Sequence, residues 1–522
     1  MADESTHAHL PADSNQARGI AEYAIRFMRE ASPGDRVVER TKMFHTDATL
    51  CGLSALALGT NAPNVLRDEA LAYRADTGAT VFGSSTRVQP EKAVVANASA
   101  VREWDSNGTN FGYDPQRGNT AGEFGHNDFY PVAIAAAQAH GLDGAAALRG
   151  MILIDEIRGR LAEVFSLKSY KVDHVVHGAI ASAAVYGAMA GASAEQIESA
   201  IGMVVAHAIP FRAIRAGKQL SDSKGSSAAI SSEFAVLAAR RSMQGFLGPR
   251  DIFRNPEAIF RIFEGPGQMF KPVAADKANT EPADASPFDL HLATRGDDFT
   301  VMGMHFKLGL YEHQSAGAIQ AMLDLLTKCP SLMDDASGAR IDTIKIVAYE
   351  PAFGIIGDPA KRNPTTRQSA DHSMVYIIAT LLRKALENKA VGWTELMLEP
   401  GDYDSSAIHD TRTRALMDKI VFQHGGPDYD ARYPDGIPTS VVITDSDGSA
   451  YDSGLVMYPG GHARNTAVDL RGILDHKFAL LGRLAFDNPQ PIIDRYNAID
   501  SLSAADLSGI NDYALSVRGS FD

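Results

Sequence analysis

Six short stretches of this sequence place titratable side chains beside glycines and turn formers at the ends of apolar runs. In TAGEFGHNDFYPV, residues 120–132, Glu123, His126 and Asp128 come just before an alanine-rich run, and His126 lies between Gly125 and Asn127. Glycine frees the backbone to aim a neighbouring ring, and imidazole is the side chain that trades protons near neutral pH. Upstream, WDSNGT offers Asp105 and Thr109 where a helical run ends on turn residues. YKVDH carries His174 directly ahead of a run of small residues, and QLSDSKGSS sets Lys224 among Gly and Ser before another helical run. There a lysine and helix N–H groups together suit an anion. MHFKLGLYEHQSAG contributes Lys307, inside an apolar, strand-like run, and His313, with His372 following in ADHS. YPGGHAR ends the series with His462 and Arg464 on a glycine loop.

Taken singly, each stretch is also what a helix cap, an Asx turn or a solvated loop looks like. Taken together they offer proton-transfer groups (Asp105, His126, His174) and cations for an anionic ligand (Lys224, Lys307, Arg464).

Elements must bring these residues together from across 522 positions, more than one hydrophobic core usually spans. The composition, 45% hydrophobic and 22% charged, is that of a folded globular chain. Its formal net charge of -15 argues against nucleic acid or an anionic membrane as partner, so an anionic substrate needs a local cluster of cations. The opening MADESTHAHLPADSNQ has neither an apolar signal core nor an Arg-rich amphipathic pattern, which makes the cytoplasm the expected location. The small-residue run 178–194 is too polar and too short for a membrane span and reads as a close-packed interior helix. Two cysteines, Cys51 and Cys329, are too few for a conventional iron–sulfur cluster.

Residues 16–302 read as mostly helical, with amphipathic runs such as 151–165 and a capping box at Ser193 to Gln196. The stretch 272–287 reads as a loop. Beyond it the alternation of IDTIKIVAY predicts a strand at 341–349, and 440–458 predicts strand, Asp447-Gly448 turn, strand. Helical patterns near 315–326 and 372–386 complete an α+β unit, and helix returns after 469. The expected fold class is therefore mainly α with an α+β second domain: a helical domain over 1–302 rejoined by 470–522, and an α+β lid over 303–469.

Walker A, HExxH, GxSxG and strand-GxGxxG-helix motifs are all missing, which disfavours an ATPase, a zinc protease, an α/β-hydrolase and a Rossmann dehydrogenase. Ordinary side chains are left to do the chemistry.

In this order, the stretches EWDSNGTNFGY, NTAGEFGHNDFYPVAIAAAQ, YKVDHVVHGAIASAAVYG, SDSKGSSAAISSEFAVLAA, MHFKLGLYEHQSAGAIQA, ADHSMVYIIATLLRKAL and YPGGHARN resemble the MmgE/PrpD family over nearly the whole chain. The resemblance implies a helical domain carrying a smaller lid, usually as a homodimer, with the cleft between them. It implies a hydro-lyase that removes water from 2-methylcitrate in propionate breakdown, acting on a small tricarboxylate, without a cofactor or a metal. By resemblance, Asp105, His126, His174, Lys224 and Lys307 are the catalytic candidates. Thr109 falls on an active-site position too, and with His313, His372, His462 and Arg464 makes the expected substrate-binding set. Elimination needs a base and an acid; Asp105 and His126 are assigned to proton transfer or its orientation, His174 to hydrogen bonding, and the lysines to the developing negative charge. Decarboxylation of cis-aconitate and epimerisation beside a carboxylate use the same scaffold. The segment before His372 lacks a tyrosine expected in the decarboxylases, which favours the dehydratase branch. A catalytically silent tricarboxylate-binding protein is the remaining alternative.

Overall fold

The structure, a computed structural model, describes residues 6–109, 127–215, 220–261 and 284–521. His126 and residues 272–283 of the 272–287 stretch lie outside the described residues.

The helical part is built around Val175–Met189, VVHGAIASAAVYGAM, which is buried along almost its entire length. A helix hydrophobic all round belongs in an interior, and its small residues let neighbours approach closely. Helices Gln16–Glu30, Tyr130–His140, Gly144–Val164, Ala194–His207 and Asp222–Met243 all pack against it. At Gly178 an added Cβ would lie 2.0 Å from the Phe129 ring, so only glycine lets this helix meet the turn that follows position 126. The run 151–164 lies within Gly144–Val164 with Phe165 as its C-cap, but Glu156, Arg158 and Arg160 are buried along with the apolar stripe, so the helix is interior on both faces there. The capping box forms at Ser193 and Gln196 as its sequence demands.

Beyond residue 303 a four-stranded sheet runs in the order Ala450–Asp452, Thr439–Asp445, Ile341–Ala348, Ile420–His424. The first two pairings are antiparallel and the last is parallel. Ile344, Ile346 and Ala348 alternate inward on the central strand, and helix Ala316–Lys328 packs on the sheet. The strand and hairpin expectations hold, and the fold class is mainly α with an α+β portion. Leu470–Ala485 then leaves the sheet region and packs on Asp35–Ala57 near the start of the chain.

Two local readings need correction. Lys307 is not in a strand: residues 304–309 are irregular, with an isolated bridge between His305 and Thr109 as their ladder pairing among the described residues. Its neighbours are apolar because Phe306 stacks on Phe44 with ring centroids 3.7 Å apart, not because they alternate across a sheet. Lys224 does not precede its helix but sits in the first turn of Asp222–Met243. Asp222 puts a carboxylate in that first turn and is held by Asn61 at 2.6 Å and Gln368 at 3.2 Å. The helix N-terminus is thereby occupied from within the chain.

Candidate active site

A cavity of about 100 Å³ lies where the helical part meets the segment after residue 303. Asp105, Thr109, His174, Lys224, Lys307, His313 and His372 all line it, joined by Arg102, Arg212, Glu312 and Lys361. Seven of the ten residues singled out in the sequence therefore converge on one space.

Asp105 is the hub. Helix Pro90–Arg102 ends just before it, and its backbone turns left-handed at φ 50°, a conformation that a short polar side chain tolerates better than most. That turn sends its carboxylate back toward Arg102, whose Nη1 lies 2.6 Å away. Lys307 pairs with the same oxygen and also donates to the Asp105 carbonyl at 2.9 Å. Lys224 reaches the second oxygen at 3.2 Å and His372 Nε2 at 3.1 Å. Desolvation alone would raise this carboxyl, but Arg102, Lys307 and Lys224 outweigh it and hold Asp105 well below the usual carboxylate range. A group fixed as an anion organises charge; it is poorly suited to carry protons near neutral pH.

Behind the hub, Asp371 takes a 2.5 Å hydrogen bond from His372 Nδ1 and lies 3.6 Å from Lys224. Burial and the nearby Lys224 push His372 down to about 4. Asp105, Asp371 and His372 present ligand atoms within 4.8 Å of one another, a spacing a cation would suit. The Lys224 ammonium is already there, 3.2, 3.6 and 3.2 Å from those three groups, and supplies a fixed positive charge.

Three further features set the walls. Thr109 and His305 exchange two peptide hydrogen bonds of 2.9 Å, tying the Asp105 loop to the Lys307 loop. The buried Thr109 hydroxyl has no hydrogen-bond partner among the described residues and lines the cavity, where a ligand could satisfy it. His174, at the N-terminus of the central helix, is 3% exposed and lies 3.6 Å from Asp173. Asn127, next to His126 in sequence, is anchored under the Asp105 loop: it accepts from Asn107 at 2.8 Å and donates to the Phe44 carbonyl at 3.1 Å.

His462 and Arg464 are placed elsewhere. They line a neighbouring cavity with Arg160, Asp435 and His305, and Arg464 is ion-paired with Asp435. The glycine loop that carries them supports the site from behind. Gly461, at φ 83°, accepts from the Phe306 N–H at 2.9 Å, where an added Cβ would lie 2.2 Å from the Phe306 carbonyl. The His462 ring packs on His305 at 3.9 Å, and His305 Nδ1 lies 3.2 Å from His313 Nε2.

Four charged lining residues are not singled out by the sequence. Arg102 reads as an ordinary basic residue ending a helix, and Arg212 and Lys361 sit in single short 3-10 turns, too brief to leave a periodicity to weigh. Glu312 did leave a signal, as a carboxylate between Tyr311 and His313 in an otherwise apolar stretch.

The family's N-terminal domain, described as MmgE/PrpD N-terminal domain, matches residues 18–270, and its C-terminal domain matches 312–493. This chain belongs to the MmgE/PrpD family. Among curated proteins it is similar to the 2-methylcitrate dehydratase of Salmonella typhi, 24% identical over 86% of this chain and 87% of that one. It is also 24% identical to the 2-methylcitrate dehydratase of Escherichia coli strain K12, covering 82% of this chain and 83% of the other. The mitochondrial 2-methylcitrate dehydratase of Yarrowia lipolytica is 24% identical over 95% of this chain and 90% of its own length.

Proposed function

We propose that this protein is a hydro-lyase that removes water from 2-methylcitrate to give 2-methyl-cis-aconitate. One observation carries the reading beyond family membership. In a chain of net charge -15, five cationic side chains, Arg102, Arg212, Lys224, Lys307 and Lys361, converge on one buried cavity with only Asp105 and Glu312 as carboxylates among the described lining residues. Such a cavity suits a compact polyanion.

In this reading Asp105 holds Arg102, Lys224 and Lys307 in register, and the lysines stabilise negative charge that builds on the substrate carboxylate as the neighbouring C–H is broken. The Thr109 hydroxyl and His174 hydrogen-bond the substrate hydroxyl or a carboxylate. His126 remains the candidate base. The segment 303–469 acts as a lid over the helical body formed by 1–302 and 470–522. The working protein is a cytoplasmic homodimer, and citrate is a side substrate.

The test is direct: purified protein mixed with 2-methylcitrate is expected to show rising ultraviolet absorbance from the new conjugated double bond, with 2-methyl-cis-aconitate identified by mass spectrometry. No absorbance change, with carbon dioxide released from cis-aconitate instead, would overturn the dehydratase reading.

Lys361 gives a second expectation. It is half-buried, lines the cavity and makes no ion pair among the described residues, which leaves its amine to meet a ligand; burial lowers its pKa, and a bound carboxylate would oppose that fall. Lys361→Ala is expected to raise KM for 2-methylcitrate about tenfold or more with a smaller change in kcat, as when a charged hydrogen bond made equally in ground and transition states is removed. Steady-state kinetics with a full substrate titration checks it.

A further inference from the structure

Loss of water needs an acid for the departing hydroxyl as well as a base for the carbon proton. Among the described cavity residues most candidates are unsuited at neutral pH. Asp105 is locked as an anion by its cations. His372 is pushed down to about 4, and burial with nearby Lys307 and His462 holds His313 well below the usual histidine range, so both rings are neutral. Arg102 and Lys224 are committed to Asp105.

Glu312 is different in position and in bonding. It opens the 3-10 turn His313–Ser315 that leads into helix Ala316–Lys328. Its peptide N–H donates to the Asp371 carbonyl at 2.8 Å, setting the residue beside the His372 loop. One carboxyl oxygen, Oε2, accepts the Gln314 N–H at 2.8 Å. The carboxyl lines the cavity with Lys307, Lys361 and His372 and forms no ion pair among the described residues.

The geometry points to Glu312 as the acid that protonates the leaving hydroxyl, an inference that rests on the dehydration reading above. In the step, a base removes the proton from the carbon beside a carboxylate and the C–H pair forms the double bond. The C–O bond breaks, and its oxygen takes the Glu312 proton and departs as water. Glu312 is left as a carboxylate, and the proton taken from carbon returns to it before the next turnover, so substrate becomes product and water with no net proton change.

The electrostatics support the placement. Burial raises the Glu312 carboxyl and Asp105 adds to the rise, while Lys307, the Gln314 N–H and Lys361 oppose it; the result is pushed up to about 7. Tyr349, whose hydroxyl bonds Gln314, faces the same carboxyl and is itself driven up by burial. A raised carboxyl keeps its proton below its folded value and loses it above, so an acid role is present below about pH 7 and fades as pH rises through it.

The experiment is a comparison of wild type, Glu312→Gln and Glu312→Asp on 2-methylcitrate across pH 5.5 to 9. Glutamine keeps a side-chain oxygen for the Gln314 N–H, so a role confined to capping that turn would survive the change. The inference expects wild-type kcat to fall above about pH 7, Glu312→Gln to lose about 100-fold or more in kcat at pH 6 with that fall abolished, and Glu312→Asp to retain part of the activity. Circular dichroism and melting temperature confirm folding of each variant. Glu312→Gln with kcat and pH profile like wild type, beside an active wild type, overturns the inference alone. A wild type that leaves 2-methylcitrate unchanged overturns the dehydration reading and this inference with it.

Discussion

Asp105→Asn is expected to lower kcat on 2-methylcitrate by about 100-fold or more and to destabilise the fold by about 3–5 kcal/mol. Asparagine fills the same volume and tolerates the left-handed backbone at φ 50°, so the change tests charge and not shape. Without the carboxylate, Arg102, Lys224 and Lys307 are left buried together with no common counter-ion. Losing one partner of a buried network costs far more than losing an exposed pair, because the remaining charges keep their desolvation penalty. Lys307, already lowered by burial, is expected to fall further once its main counter-charge is gone. Added citrate should raise the melting temperature of Asp105→Asn more than that of wild type, since its carboxylates replace the missing anion. Denaturant titration, thermal melts with and without citrate, and steady-state kinetics decide the matter. A variant as stable and as active as wild type would remove Asp105 from the centre of the site.

Lys477→Met is expected to destabilise by a similar amount, about 3–5 kcal/mol, although Lys477 does not line the cavity. This lysine is 1% exposed on helix Leu470–Ala485 and ion-pairs with Asp47 at 2.7 Å. It also donates to the Ser106 carbonyl at 2.7 Å and the Lys307 carbonyl at 2.9 Å. One ammonium thus ties a helix near the chain start to both loops that carry the hub and its lysine. Methionine of similar length leaves two carbonyls and the Asp47 carboxylate without that donor. Burial already raises Asp47, and Lys477 is the main opposing influence, so the variant should take up a proton there. The double variant Asp47→Leu with Lys477→Met is expected to recover much of the stability but little of the activity, because the buried charge is gone while the loops remain untied. Equal stability of the two variants would show that the charge pair is not what the single change breaks.

Much of this arrangement was legible in the sequence, for identifiable reasons. Small-residue runs had to be interior helices, and alternating Ile at 344 and 346 had to be a strand. Asp105, Lys224 and Lys307 stood out because each interrupts a run of different character. What could not be read was partnership: nothing near Lys477 announces that it reaches Ser106, 371 positions away. Nor does the glycine loop at 459–461 reveal that His462 and Arg464 face a neighbouring cavity, since direction depends on the Phe306 backbone packed against it. Lys307 looked like a strand residue because contact with Phe44 and sheet burial select the same apolar neighbours.

The exchange of peptide bonds between Thr109 and His305, with Lys477 behind it, bears on how the site comes into being. Asp105 meets Lys307 across 202 positions and Ser106 meets Lys477 across 371. Loops of that length close late, because their entropy must be spent before any contact rewards it. A growing chain on the ribosome holds Arg102 and Asp105 long before it holds Lys307, and Lys307 long before the helix that fixes it. The cationic cavity is therefore complete only after residue 470, and a chain halted short of it carries the candidate site residues without the lysine that ties their loops together.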